Sequence, residues 1–319
     1  MQIDVDKIFA GDERTVAQAI SLVENSREDA FELLRKLYLK TDLAYLLGVT
    51  GPPGGGKSTL VEKIVARWVE NGEKVAVIAI DPSSEFSGGA LLGDRIRMGS
   101  IATHPDVFIR SMATRGYLGG LNPAIFDTVL VLSAAGYQRI VIETVGVGQN
   151  EIDIVSLADT TLVVTVPEAG DEIQSFKAGL MEAGDLFVLN KSDHATAHRM
   201  ELILKQMIDL ARSDNSDWKI PLVKTVATEE EGLDELIKHI TAHKQFLHDS
   251  NLEVSNKKKV MKNHLIHLLE EGLRNKYIEP LLKESSFHAS IDAVINREVD
   301  PYTKVSEWLN DFGKEDFDR

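Results

Sequence analysis

The run Gly51-Pro52-Pro53-Gly54-Gly55-Gly56-Lys57-Ser58-Thr59 has the residue types and spacing to hold a polyphosphate. It matches G-x-x-x-x-G-K-[ST], with Gly51, Gly56, Lys57 and Ser58 at the defining positions. Glycines let the backbone wrap tightly, so that successive N–H groups turn toward an anion. A helix N-terminus behind the loop adds the positive end of its dipole. Lys57 is then expected to reach the β- and γ-phosphates, and Ser58 to hold Mg²⁺.

A second motif, Asn190-Lys191-Ser192-Asp193, reads as N-K-x-D. A carboxylate at Asp193 can accept from both N1–H and the N2 amine of guanine. Adenine has a lone pair at N1 and no N2 amine, so the same carboxylate would stand unpaired against it. Asn190 would brace the loop and Lys191 would lie along the base. Backbone groups around Ala227 are candidates for the guanine O6.

Acids supply the remaining chemistry. Glu143 ends a strand in E-T-V-G, where a water-mediated contact to Mg²⁺ is made, and Gly146 could donate its N–H to the γ-phosphate. Asp81, in I-D-P-S-S, and Asp94, in G-D-R, are further candidates around the same ion; Asp94 could instead pair with Arg95 or Arg97. Gln149 is a candidate for orienting the attacking water, which spacing alone does not assign. Arg110 and Arg115 could serve as an internal arginine finger or as contacts for a partner. His194 and His198 have the H-x-x-x-H spacing of a metal pair, but only Asp193 stands nearby to complete a site, so a solvated helix start is the favoured reading.

The elements that must position these residues follow from the apolar pattern. Continuous apolar runs mark strands at Leu46–Val49, Val75–Ile80, Val107–Ile109, Ile140–Ile142, Leu162–Val166, Leu186–Leu189 and Leu222–Val226. Runs without polar alternation indicate strands buried on both faces. Helical stretches lie between most of them, Thr59–Val69 with Leu60, Ile64, Val65 and Trp68 on one side being the clearest. The expected fold is therefore α/β, a mostly parallel sheet flanked by helices, with its ligand at the carboxyl ends of the strands. Residues 1–44 read as helical, with Asp12 capping a segment through Val16, Ile20 and Val23, and a second stretch through Ala30, Leu33, Leu34 and Leu37. Residues 45–245 form the nucleotide domain. Residues 246–319 carry no strand or Gly-rich loop and read as a helical arm, with a break at Pro280.

Composition narrows the partners. The 319 residues carry a formal net charge of −15, which argues against nucleic acid or an anionic membrane. The absence of cysteine excludes disulfides and thiolate metal sites and suits a reducing cytosol. No apolar run reaches the ~18 residues of a membrane span. The acidic start, with Asp4, Asp6, Asp12 and Glu13, is unlike a signal or transit peptide.

Taken together, G-P-P-G-G-G-K-S-T, D-P-S-S-E-F-S-G-G-A-L-L-G-D-R-I-R-M, F-I-R-S-M-A-T-R-G-Y-L-G-G, E-T-V-G-V-G-Q and N-K-S-D, in this order, resemble the MeaB/ArgK family of P-loop GTPases. Its human relative is the methylmalonic aciduria type A protein. The resemblance covers essentially the whole chain. It implies a GTP-hydrolysing metallochaperone that gates cofactor loading into an adenosylcobalamin-dependent acyl-CoA mutase, chiefly methylmalonyl-CoA mutase, and protects it from inactivation. It also implies GTP/GDP and Mg²⁺ as cofactors, a homodimer built through the C-terminal arm, and a cytoplasmic location. By carry-over, Pro53, Gly54, Gly55 and Thr59 join the phosphate loop; Ser58, Asp81, Asp94 and Glu143 form the magnesium set; Pro167–Lys177 forms a further switch that senses the partner. Three residues depart from the family pattern: Gly55 for alanine, Glu168 for glycine and Val226 for serine. The alternatives are a nickel-insertion GTPase, made less favourable by the lack of cysteine, a GTP-dependent kinase, and a scaffold that no longer hydrolyses.

Overall fold

The computed structural model of the protein describes residues 3–25, 27–81, 98–113, 123–144, 157–168, 184–211 and 217–315. Seven strands, β1 (Tyr45–Thr50), β2 (Val75–Asp81), β3 (Val107–Ala113), β4 (Arg139–Thr144), β5 (Thr160–Thr165), β6 (Leu186–Leu189) and β7 (Leu222–Lys224), form one sheet in the order β3-β2-β4-β1-β5-β6-β7. Every neighbouring pair is parallel. All seven apolar runs are strands. β1, β4, β5 and β6 are buried at every residue, which is why they read as unbroken apolar stretches.

Side chains alternate across the sheet. Tyr45, Leu47, Val49, Leu162, Val164, Leu186 and Val188 enter one core with Leu60, Ile64, Val65 and Trp68 of α4 (Lys57–Glu70). Leu236 and Ile240 of the helix Leu233–Asp249 close that layer. Each such aliphatic side chain contributes about 1.5–3 kcal/mol on burial. On the opposite face Val163, Phe187 and Leu189 meet Ala197, Met200, Leu204 and Ile208 of the helix Ala197–Ala211.

Three N-terminal helices, α1 (Val5–Phe9), α2 (Glu13–Asn25) and α3 (Arg27–Tyr38), precede the sheet. Asp12 caps α2, its carboxylate accepting the Thr15 N–H at 2.8 Å. Val16, Ala19, Ile20 and Val23 of α2 and Ala30, Leu33 and Leu37 of α3 are buried. Both helices pack on the helix Pro123–Ala134, which is buried from Ala124 to Leu132. That helix is apolar on nearly all sides, so it needs cover on more than one face, and the N-terminal pair supplies part of it.

At the amino ends of the strands, away from the motifs, a buried polar chain links β1, β5 and the helix Leu233–Asp249. The Tyr45 hydroxyl donates to Thr160 Oγ1 at 2.6 Å, and Thr160 Oγ1 lies 2.7 Å from His243 Nδ1. His243 Nε2 stands 3.5 Å from Asp185. Burial pushes the Asp185 carboxyl up to about 6 and the His243 imidazole down to about 4.

The chain divides into two compact units, residues 1–260 and 261–319. The second contains the end of the helix Leu252–Leu273, a π turn at Arg274–Ile278, and helices Glu279–Leu282, Ser285–Ile295 and Pro301–Glu315. The expected break falls just after Pro280: the helix Glu279–Leu282 that carries this proline ends there, and the next begins at Ser285. Pro280 has no N–H to donate and its ring crowds the carbonyl four residues earlier, and the widened π turn ahead of it accommodates both. Within this unit Tyr277 packs against Phe312 and Phe287 against Trp308 in tilted pairs, with ring centroids 5.0 and 5.3 Å apart. No helix among the described residues is long and apolar enough to cross a membrane.

Candidate functional site

The phosphate loop joins the carboxyl end of β1 to the first turn of α4. Gly51, Gly54 and Gly56 have φ of 138°, 73° and 82°. Two of these glycines are required by close approach as well. A Cβ on Gly51 would lie 1.9 Å from the Val164 carbonyl oxygen, and one on Gly56 would lie 2.3 Å from Asn190 Nδ2. Pro53 and Gly54 are exposed at the tip, Gly55 is buried, and Thr59 lies half-buried in the first turn of α4. A Cβ on Gly55 would come 3.0 Å from the Pro52 carbonyl oxygen, a tight contact on the loop's own backbone. Lys57 is buried, and its Nζ donates to the carbonyls of Gly51 and Pro52 at 2.7 and 2.9 Å. The ammonium is thus held at the loop itself.

Glu143, on β4 beside β1, is buried and accepts a hydrogen bond from Ser58 Oγ at 2.6 Å. Thr50 and Thr144, the last residues of β1 and β4, are buried and hydrogen-bonded to each other at 3.1 Å. Asp81 is the last residue of β2, which lies on the far side of β4. Glu143 and Asp81 therefore come from the carboxyl ends of adjacent parallel strands, and Lys57 and Ser58 from the first turn of the helix that follows β1. Asp94, Gly146, Gln149, Arg115 and most of Pro167–Lys177 lie outside the described residues.

The base-reading motif follows β6. Asn190 is 2% exposed and uses both ends of its amide. Nδ2 donates to the Gly55 carbonyl at 2.9 Å; Oδ1 accepts from the Ala227 N–H and from Thr225 Oγ1, each at 3.1 Å. One side chain thus ties the phosphate loop to the loop after β7. The Ala227 amide already donates to Asn190, so any contact it makes with a guanine O6 is shared. Lys191 is exposed with a left-handed φ of 54°, and Asp193 is exposed two residues on. The Asp193 carboxylate is therefore presented to solvent, where a base can reach it.

Other candidates have structural partners. Arg110 donates to Ser21 Oγ at 3.1 Å and to the Glu24 carboxylate, so it ties β3 to α2 rather than serving as an arginine finger. His194 Nε2 lies 3.1 Å from Glu168 and its Nδ1 3.1 Å from Thr196; His198 is 4.0 Å from Glu201. The two histidines have separate partners, and no group of three His, Cys, Asp or Glu side chains among the described residues is placed to hold a metal ion. Sequence reasoning did not single out Thr225, Glu230, Lys63 or Arg67. Thr225 precedes Val226-Ala227 and was within reach of the motif; the other three carry no local signal.

The family model described as methylmalonyl-CoA mutase-associated GTPase MeaB matches residues 16–280. The chain belongs to the MeaB family. Membership makes it a P-loop GTPase. It is 46% identical over 309 residues to a Pyrococcus abyssi protein carrying a provisional GTPase name, with 96% of this chain and 95% of that protein covered. The GTPase ArgK of Escherichia coli is 36% identical over 240 residues, covering 73% of this chain and 72% of ArgK. The mouse mitochondrial methylmalonic aciduria type A homolog is 34% identical over 253 residues, covering 73% of this chain and 61% of that protein. A crystal structure described as a LAO/AO transport system kinase superposes with a TM-score of 0.68 at 27% identity, covering 97% of this chain and 96% of that one.

Proposed function

We propose that this protein is a GTP-hydrolysing switch that gates cofactor loading into an adenosylcobalamin-dependent acyl-CoA mutase of the methylmalonyl-CoA type and protects that mutase. The observation that carries the switch is the Asn190 bridge, which makes one rigid site of the phosphate loop and the base-reading loops. The client is supported by the family the chain belongs to.

In this reading the backbone N–H groups of residues 51–59 cradle the phosphates and Lys57 neutralises charge on the γ-phosphate as water attacks in line. Asp193 accepts from N1–H and the N2 amine of guanine. Asn190 keeps Asp193 and the phosphate loop at a fixed separation, so that only a nucleotide of the right length satisfies both. The oxygen donors Ser58 and Glu143, in contact at 2.6 Å, fit a hard dication such as Mg²⁺. Ser58 would hold it and Glu143 would hold one of its waters, and the ion would neutralise phosphate charge as the bond to the γ-phosphate breaks; Asp81 and Asp94 are further candidates for its waters. The loops at 81–97 and 146–151 would then respond to the γ-phosphate as switches.

The protein acts as a homodimer through its C-terminal helices. Leu265, Leu269, Ile295, Tyr302 and Leu309 are 57%, 63%, 72%, 85% and 62% exposed, an unusual amount of apolar surface for 59 residues. Deleting 246–319 is expected to leave a species with the mass of one shortened chain by light scattering; a mass of two shortened chains would remove the arm from the interface.

The test of function is GTP turnover by the full chain with and without a methylmalonyl-CoA mutase and its cofactor, with ATP as the control. Stimulated GTP turnover with ATP inert is the expected result. GTP turnover indifferent to the mutase would discard the client and leave the GTPase.

A further inference from the structure

Asn190 is the buried tie between the two halves of the site; a second tie lies at the surface. Glu230, in the turn between β7 and the helix Leu233–Asp249, accepts from Lys63 Nζ at 2.8 Å and from Arg67 Nη2 at 3.0 Å. Lys63 and Arg67 lie one turn apart on α4, the helix whose first turn carries Lys57 and Ser58. The two carboxylate oxygens are divided between the two cations, Oε1 to Lys63 and Oε2 to Arg67. Arg67 also stands 3.9 Å from Asp234 and 3.5 Å from Glu70.

The turn that Glu230 anchors is the one that carries Ala227. It is tightly determined: Val226 N–H donates to the Glu231 carbonyl at 3.1 Å and Glu229 N–H to the Val226 carbonyl at 3.0 Å. Glu230 itself has φ of 59°, a left-handed conformation that a non-glycine residue adopts at a cost. Gly232, at φ 76°, has no room for a Cβ, which would meet the Lys224 carbonyl oxygen at 2.0 Å. A strained residue held by two cations on another element marks a constraint that the turn alone does not supply.

We infer that Glu230, Lys63 and Arg67 form a clamp that holds the Ala227 turn in register with the phosphate-loop helix, making Glu230 a positioning residue for guanine-nucleotide binding. The inference rests on the guanine reading of the site and adds a determinant that neither motif contains. Hydrogen bonding to Glu230 raises the Lys63 ammonium above its ordinary value, and the same bond lowers the Glu230 carboxyl, as expected of a formed ion pair. The clamp is solvent-exposed, so its effect is modest and screened by salt.

The experiment measures binding and release of a fluorescent GDP analogue by the full chain, for wild type, Glu230→Gln, the pair Lys63→Gln/Arg67→Gln and the triple variant that combines them. Nucleotide-free melting temperatures are recorded for each. Glu230→Gln is expected to bind about fivefold more weakly, through faster release, at low salt. The difference should shrink toward one at 1 M salt, and adding Glu230→Gln to Lys63→Gln/Arg67→Gln should cost nothing further, because the clamp is already open. Binding within twofold of wild type, or a loss matched by an equal loss of nucleotide-free stability, overturns the clamp. A wild-type chain that binds no GDP overturns the guanine reading and the clamp with it.

Discussion

The phosphate end and the base end of this site are held by different physics. At the phosphate end the backbone itself is the fitted part: Gly51 lies where any side chain would collide with the Val164 carbonyl, and Lys57 is folded onto the loop's own carbonyls. At the base end a single side chain does the fitting, Asn190, whose amide reaches Gly55 on one side and Ala227 and Thr225 on the other. The difference teaches where each end tolerates change. A close-packed backbone admits no substitution that adds an atom. A hydrogen-bonded side chain can be replaced, at the cost of leaving its partners unsatisfied.

The largest effect should come from breaking the phosphate end. Gly51→Ala is expected to destabilise the fold by about 4 kcal/mol, combining a backbone clash with an unfavourable φ, and to abolish nucleotide binding. A melting curve and a GDP titration check both. Lys57→Ala leaves the glycines in place and should cost catalysis rather than folding. Single-turnover GTP hydrolysis should slow about 10³-fold with a melting temperature close to wild type; normal turnover would remove Lys57 from the mechanism.

At the base end, Asn190→Ala strands the buried Gly55 carbonyl and Ala227 amide. A loss of about 3 kcal/mol in chemical denaturation is expected, together with weaker GDP binding, because both loops lose the same anchor. A loss confined to binding would mean that the bridge forms only around nucleotide.

The smallest effect lies outside the comparison and serves as its control. His243 is buried at the far ends of the strands with its imidazole lowered to about 4, against 6.5 in the unfolded chain. Between those values the unfolded state binds the extra proton, so stability falls as pH drops from 6.5 toward 4. Groups facing it are Thr160, Asp185 and Trp218, the last with ring centroids 4.7 Å from the imidazole. Relative to wild type, His243→Gln should gain about 2 kcal/mol in stability between pH 6.5 and 5, the Asp185 carboxyl raised to about 6 contributing with the opposite sign in both chains, while GDP affinity stays unchanged at pH 7.5.

The contrast between the two ends also explains what could be read from the chain. The seven strands were legible because a doubly covered parallel sheet demands unbroken apolar runs such as Leu186–Leu189, and each run became a strand. The phosphate loop was legible because its chemistry is local: nine consecutive residues carry it. Asn190 was legible as a motif residue, but its partners Gly55 and Thr225 lie 135 and 35 residues away, and no local pattern announces them. Arg110 shows the opposite failure. Its setting in a Gly-rich segment suggested an arginine finger or a contact for a partner, whereas Ser21 and Glu24, distant in sequence, take its guanidinium. The break at Pro280 is legible because proline opposes the regular α-helical ladder; the π turn that carries the helix as far as Leu282 is not.

The most direct test of the account is a calorimetric titration of wild type and Asp193→Asn with GDP and with xanthosine diphosphate. Xanthine carries a carbonyl where guanine carries its N2 amine, so an amide at 193 can donate where the carboxylate could only accept. The account predicts that wild type prefers GDP and that Asp193→Asn loses about a hundredfold in GDP affinity while gaining affinity for the xanthine nucleotide. An Asp193→Asn chain that binds GDP as wild type does would contradict it, because the base would then be read elsewhere.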